Sequence, residues 1–431
     1  MSQAFGLALL VLGGLAAIGA PIALSMVTAA VFYLFLAGQD MSLASEQFIQ
    51  AVYDSTLLLA VPLFIAAANI MNVGAISDRL LEFCKAMVGR FKGGMAQVDI
   101  LVSLIFSGMS GSAVADAAGV GQVTIKMMLK TGHYTPGFAG AVVAASATIG
   151  PIIPPSIPMV LYALVSNTSI GYLFLGGVVP GLMMTLALMA MTSVIAHRRG
   201  IPAEEAVPLR QIPGVTLRAM PALMLPVILL GGIYGGATTP TEAAAVAALY
   251  ALVVSALWYR SLSLKSLYGV FVDSARSSAS VGLVIGSALI FNYVVAAERI
   301  PETLSQFMVS LDLSRGGFLA FTMVLFLFLG FFLDATTIIL VVIPLFLPTA
   351  MALGIDPVHF GVVSVVNCMI GLITPPYGIL LFVVNGTTGI PIKAIVRESV
   401  PFLIALLLSL VAIALFPELV LWLPRLFGYE G

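Results

Sequence analysis

The chain alternates between long apolar runs and short polar connections, at a spacing that matches membrane crossings. A crossing needs roughly 20 apolar residues at 1.5 Å rise to cover a hydrocarbon core of about 30 Å. On that measure full crossings are expected near residues 4–19, 21–38, 56–72, 136–165, 170–196, 217–235, 240–259, 275–297, 358–386 and 398–423. Gly19-Ala20-Pro21 divides the first apolar run, 4–38, because it reads as a turn rather than as the middle of one helix. Two more segments, 94–128 and 316–350, are apolar but interrupted at their centres. Each half holds about 14–17 residues, or roughly 21–25 Å of helix, which is short for a span. These segments are expected to be re-entrant hairpins, in an all-α polytopic membrane protein.

Composition narrows the function classes. Of 431 residues, 61% are hydrophobic and 9% are charged, far from the balance of a chain whose main solvent is water. A formal net charge of −1 leaves no excess of Lys and Arg to neutralise phosphates, so nucleic acid is excluded as a partner. Cys84 and Cys368 are too few for a disulfide framework and have no metal-ligand spacing. His133, His197 and His359 lie far apart, all at segment ends. No basic stretch precedes the first apolar run, so a cleaved signal peptide is not expected. No G-x-x-x-x-G-K-[ST] phosphate loop is present, which excludes an ATP-driven permease.

Lys and Arg set the orientation. Arg79, Lys85, Arg90 and Lys92 share one loop, and Lys126 and Lys130 follow the first hairpin. Arg198, Arg199, Arg210 and Arg218 mark the central connection; Arg260 with Lys265 and Lys393 with Arg397 mark two more. With the spans above, all five groups fall on one face, expected to be the cytoplasmic one, with both termini outside.

The chain also repeats itself. At an offset of 221 residues, Ile149-Gly150-Pro151-Ile152-Ile153-Pro154-Pro155 meets Ile370-Gly371-Leu372-Ile373-Thr374-Pro375-Pro376. Pro136 then meets Pro357, Gly140 meets Gly361, and Val179-Pro180 meets Val400-Pro401. Near the same offset Pro21 pairs with Pro240, Ser42-Leu43 with Ser263-Leu264, and Asp54-Ser55 with Asp273-Ser274. Five crossings separate equivalent points, an odd number, so the halves run in opposite senses. Residues 1–196 form the first inverted repeat and 218–431 the second, joined by a basic linker over 197–217. Inverted repeats of this kind place transport sites at the midplane, on broken helices.

The breaks and hairpin tips carry the candidate chemistry. Gly-Pro-Ile-Ile-Pro-Pro within the 136–165 span removes backbone donors and frees carbonyls, as does its counterpart within 358–386. In hydrocarbon such carbonyls need a helix, a water or an ion. The first tip, Ser107-Gly108-Met109-Ser110-Gly111-Ser112 with Asp116 one turn on, either permits close helix approach or forms an oxygen-rich nest for a hard cation. The second tip, Gly330-Phe331-Phe332-Leu333-Asp334-Ala335-Thr336-Thr337, sets Asp334 between two apolar arms, where a carboxylate is costly and points to function. Asp312, in an external loop, is expected to be solvated and uninvolved. Thr239-Pro240-Thr241-Glu242 is a helix-capping box, which accounts for Glu242 without a site.

The paired breaks, the Ser-Gly-x-Ser-Gly-Ser tip, the Asp-Ala-Thr-Thr tip and Gly-Gly-Ala-Thr-Thr-Pro-Thr-Glu-Ala over 235–243 together resemble the large membrane subunit of tripartite ATP-independent periplasmic (TRAP) transporters, over essentially the whole chain. The resemblance implies a sodium-coupled elevator in the bacterial inner membrane. It would be fed by a periplasmic substrate-binding protein, braced by a small four-helix membrane subunit, and would take up a small organic acid anion, a carboxylate or sulfonate. It implies no cofactor and no metal other than sodium. One sodium site would use Ser107, Ser110, Gly111 and Ser112 with Thr148 and Gly150; the other would use Gly330, Asp334 and Thr337 with Gly371 and Thr374. Substrate would meet Ser110 and the pairs Pro154-Pro155 and Pro375-Pro376. The repeats are unequal, since Thr374 stands against Ile153 and Leu372 against Pro151.

Two other classes meet the same residues. A dicarboxylate or citrate elevator working without a binding protein would share the hairpins, but such proteins favour an Asn in each tip and neither tip has one. An intramembrane serine protease would use Gly108-Met109-Ser110-Gly111 with a membrane histidine, for which His359 is the candidate.

Overall fold

The computed structural model describes residues 2–53, 56–73, 76–310 and 313–431; Asp54, Ser55 and Asp312 lie outside the described residues. Every regular element among the described residues is helical. The first half opens with α1 (Gln3–Ala17) and α2 (Ile22–Leu36), divided by Gly19 at φ +85°. It continues with α3 (Ser42–Tyr53), α4 (Ala60–Val73) and α5 (Ile76–Val88), then a hairpin of α6 (Gly94–Ser110), α7 (Ala113–Ala118) and α8 (Val120–Lys130). A helix broken into α9 (Pro136–Ala147) and α10 (Ile157–Ser166) follows, and α11 (Ile170–Arg199) closes the half.

The second half repeats this order. Helices α12 (Ile212–Tyr234), α13 (Pro240–Val253), α14 (Leu264–Ala297) and α15 (Ile300–Ser310) lead to a hairpin of α16 (Arg315–Leu329), α17 (Ala335–Thr337) and α18 (Ile343–Ala352). A second broken helix, α19 (Pro357–Gly371) and α20 (Ile379–Thr388), precedes α21 (Ile392–Leu415) and α22 (Glu418–Leu426). The fold is thus an inverted repeat with two hairpins and two broken helices.

Local chemistry explains the differences between the halves. Helix α14 runs 34 residues without a proline, whereas its counterpart is divided into α3 and α4, with Pro62 in the first turn of α4. A π segment at Ile338–Val342 joins α17 to α18, so the return arm of the second hairpin spans 18 residues, longer than the 14–17 expected. The last crossing is 392–415 rather than 398–423, because Pro417 ends it and α22 starts as a separate helix. The expected crossings at 4–19 and 21–38 are helices of 15 residues each, about 22 Å long. Helix α5 lies where only a loop between spans was expected. Buried Ile76, Leu80, Cys84 and Val88 recur every fourth residue beneath a charged face of Arg79, Glu82 and Lys85.

The broken helices form the centre. Every residue from Gly137 to Ala147, and from Val358 to Gly371, is buried. Helix α9 packs on α21, α6 and α8, and Gly137 lets it approach α21 so closely that a Cβ there would sit 2.7 Å from the carbonyl of Ala394. With lipid outside there is no water to expel between helices, so close packing of this kind holds them together. A second group, α1–α4 with α12–α14, packs around α4 and α14 and meets the first through α4 and α12 on α6, and α14 on the second hairpin.

The basic groups gather at one end. Lys85 pairs with Glu204 at 3.2 Å, Arg199 with Glu398 at 2.6 Å, and the Tyr259 hydroxyl donates to the carbonyl of Arg218 at 2.8 Å. At the opposite end the Ser2 backbone donates to Glu298 at 2.8 Å and the Tyr429 hydroxyl to Asp356 at 2.9 Å. The capping box at Glu242 is present, with Thr239 and Glu242 exchanging both hydrogen bonds.

Candidate functional site at the hairpin tips

The first tip is shaped by one glycine. Helix α6 stops at Ser110, and Gly111 takes φ +59°, turning the chain so that Ser112 caps α7 by accepting from the Ala115 N–H at 3.4 Å. A Cβ on Gly111 would stand 2.6 Å from the Pro155 carbonyl, so the tip rests directly on the first break. The Ser110 hydroxyl donates to Oδ1 of Asp116. Its proton is thereby drawn away from the tip, while its oxygen also accepts from the Ser112 N–H at 3.4 Å. Oδ2 of Asp116 is buried without a hydrogen-bond partner and lies against Gly150, where any side chain would strike it. Ser107 and Thr148 are fully buried, and their hydroxyls donate to the carbonyls of Leu104 and Ala145 at 2.5 and 2.6 Å.

The breaks are better satisfied than their prolines suggest. The Ile149 carbonyl accepts from Ile152 and Ile153, at 2.9 and 3.2 Å, and the Ser156 hydroxyl donates to the Pro151 carbonyl. In the second break the carbonyls of Gly371 and Leu372 accept from the N–H groups of Thr374 and Leu380, at 3.1 and 3.0 Å. The expectation of freed carbonyls therefore fails at these four positions, because tight turns and one serine replace the lost helical donors.

The second tip is capped by its own carboxylate. Asp334 accepts from the Thr337 N–H at 3.1 Å and from the Thr337 hydroxyl at 2.5 Å, so it starts α17. Gly330 lies against Gly371 across the break, and Thr374 donates its hydroxyl to Ile370 at 2.7 Å.

Both tips open onto one cavity of about 270 Å³. Ser110, Gly111 and Ser112 line it from one side, Asp334 and Thr336 from the other, and Asn69 and Ser277 face them from α4 and α14. The breaks contribute Pro151 and Leu372; the pairs Pro154-Pro155 and Pro375-Pro376 are not among its lining residues. Among the described residues lining it, Asp334 is the single ionisable side chain, and the other polar groups are hydroxyls and one amide. Such a chamber suits a hard cation held by oxygens, and an organic anion only if that cation offsets Asp334.

The protease reading fails on geometry. Ser110 is bonded to a carboxylate, and His359 bonds the Ile413 carbonyl at 3.0 Å beside a different pocket, around Arg315 and Asp356. Two polar groups, one half-buried and one buried, went unnoticed in the sequence. Asn69, which donates to the Ser274 hydroxyl at 3.0 Å, sits in an unremarkable apolar run, and Asp99 looks like one polar interruption near the start of another. Asp99 is 1% exposed and accepts from Thr124 and Ser146.

Comparison with known proteins places this geometry. Residues 9–419 match the family described as tripartite ATP-independent periplasmic transporter, DctM component. The chain is 40% identical over 418 residues to the sialic acid TRAP transporter large permease protein SiaM of Vibrio cholerae, covering 96% of this chain and 97% of that protein. It is 40% identical to the C4-dicarboxylate TRAP transporter large permease protein DctM of Pseudomonas aeruginosa, covering 86% and 87%. It is also 40% identical to the isethionate TRAP transporter permease protein DctMQ of Oleidesulfovibrio alaskensis, covering 93% of this chain and 63% of that longer protein. In fold it is similar to the YdaH transporter of Alcanivorax borkumensis, whose crystal structure has an unusual topology, with a TM-score of 0.61 at 15% identity over 89% of this chain and 87% of that one.

Proposed function

The chain belongs to the DctM family of tripartite ATP-independent periplasmic transporters, as a multi-pass inner-membrane permease subunit and not an enzyme, and from that premise we propose that it takes up a small organic acid anion by sodium symport. The observation that carries this reading is the shared cavity, where hydroxyls of the first tip face Asp334 of the second with no Lys, Arg or His among the described lining residues. A substrate anion entering beside Asp334 would meet a like charge, so a cation must enter with it.

Sodium fits the oxygen donors at hand. One ion is assigned to Ser107, Ser110, Gly111, Ser112, Thr148 and Gly150, the other to Gly330, Asp334, Thr337, Gly371 and Thr374. Ser110, fixed by Asp116, also faces the substrate. Relatives named for sialic acid, C4-dicarboxylates and isethionate all handle organic acids, which supports that substrate class. Movement is assigned to an elevator step, in which α6–α11 with α16–α22 slide against α1–α4 with α12–α14. The broken helices pack mainly within the first group, α10 also meeting α4, and this supports the division. A tripartite family and a name that specifies a large permease imply a small membrane subunit and a periplasmic binding protein as partners.

The test is uptake into liposomes holding this chain with its small subunit, fed by the binding protein. Uptake should require an inward sodium gradient, and the chain alone should accumulate nothing. Uptake driven by a pH gradient without sodium would sink the coupling.

A further inference from the structure

The first hairpin holds a carboxylate that the tip geometry does not use. Asp99 lies on α6, about three turns before the tip, and is 1% exposed. The Thr124 hydroxyl, from α8, reaches its Oδ1 at 2.5 Å; the Ser146 hydroxyl, from α9, reaches its Oδ2 at 2.7 Å. Ser103 donates to Ser146 at 3.1 Å, and the Ser146 proton has Asp99 at 2.7 Å as a shorter acceptor than the Val143 carbonyl at 3.1 Å. Both carboxylate oxygens thus act as acceptors at the lengths of O–H···O⁻ bonds, the arrangement of an ionised group. None of the ion pairs among the described residues involves Asp99, and Lys126, the cation two residues from Thr124, points to the exposed face of α8.

A charge buried in this way demands a compensating one. Asp99 ties together the elements that carry the first sodium assignment: Ser107 and Ser110 are on α6, and Thr148 follows Ser146 by two residues. The second hairpin has no such group, since Ala320 stands at the position equivalent to Asp99 and the charge there is Asp334, at the tip itself. We propose that Asp99 is the rear counter-charge of the first sodium site, raising its cation affinity through the hairpin without touching the ion. This rests on the sodium reading above and adds to it: the first site draws charge from within the hairpin, where Asp116 stands beside Ser110 and Asp99 behind it, and the second from its tip.

The experiment is sodium titration of substrate uptake and of thermal stability, in the complete transporter, for wild type, Asp99→Asn and Asp99→Glu. Asp99→Asn keeps size and hydrogen bonding but removes the charge. It should raise the half-saturating sodium concentration on the order of tenfold, with near wild-type uptake at saturating sodium and no loss of stability without sodium. Asp99→Glu keeps the charge and displaces its hydrogen bonds, so its half-saturating sodium should stay near the wild-type value. Unchanged sodium dependence in Asp99→Asn overturns the inference and leaves the coupling reading intact. Should Asp99→Asn not fold, Asp99→Glu decides: a rise in its half-saturating sodium would make Asp99 a hydrogen-bonding hub and overturn the counter-charge. Wild-type uptake indifferent to sodium would overturn the coupling reading, and this inference with it.

Discussion

Gly330 and Gly371 meet across the second tip so closely that a Cβ on Gly330 would stand 3.2 Å from the Cα of Gly371, and the converse holds at the same distance. One glycine ends an arm of the hairpin and the other ends α19, so the tip and the break share a backbone-to-backbone contact. Carbonyls brought together in this way can face one ion, which a side chain on either residue would prevent.

Gly330→Ala should therefore separate tip and break by a few tenths of an ångström. The cost expected of such overpacking is about 1–3 kcal/mol. Sodium-dependent uptake should fall more than thermal stability does, and equal losses in both would mean that the contact serves packing alone.

Asp334→Asn should abolish coupled uptake, by on the order of a hundredfold or more, without unfolding the protein. Asn also caps helices, so the bonds from Thr337 can persist while the charge that balances sodium is lost. Asp273→Asn provides the comparison, because Asp273 is exposed, with Arg276 at 3.9 Å. Sodium-dependent thermal stabilisation should disappear in the first variant and persist in the second.

Gly111→Ala should impair the first site. Its φ of +59° costs an L residue roughly 1–2 kcal/mol, and the new methyl would press on the Pro155 carbonyl, 2.6 Å away. Since Gly111 positions both Ser110 and Ser112, uptake should drop even at saturating sodium. Wild-type uptake in this variant would show that the tip does not need its contact with the break.

Stability at the end opposite the basic loops should depend on acid. Hydrogen bonds from the Ser2 hydroxyl and backbone, and from the Tyr33 hydroxyl, hold the Glu298 carboxylate below its ordinary value of 4.5. Above 4.5 the ionised group contributes its full stabilisation, which is lost as pH falls through the lower folded value. Thermal melts from pH of about 5 down to about 3 should fall more steeply for wild type than for Glu298→Gln. Parallel curves would show that the Ser2 and Tyr33 bonds add nothing.

Much of the architecture was legible in the residue pattern. Apolar length located the hairpins within two residues of α6–α8 and α16–α18, and the paired prolines located both broken helices. Gly19-Ala20-Pro21 separated α1 from α2 as a turn should. Helix α5 was missed, because a charged amphipathic helix has no signal in a scan for apolar length.

The sequence by itself determined what the chain must be: its apolar content forces it into lipid, where backbone groups require helices, and its repeated glycines and prolines interrupt those helices at equivalent points. Only the tertiary structure decided how the interruptions are used. That Gly330 touches Gly371, and that Asp99 is enclosed by hydroxyls from α8 and α9, depend on elements distant in the chain. The physical reason is that a polar residue's cost in lipid is set by its partners, and partners brought by packing leave no periodic mark in the sequence.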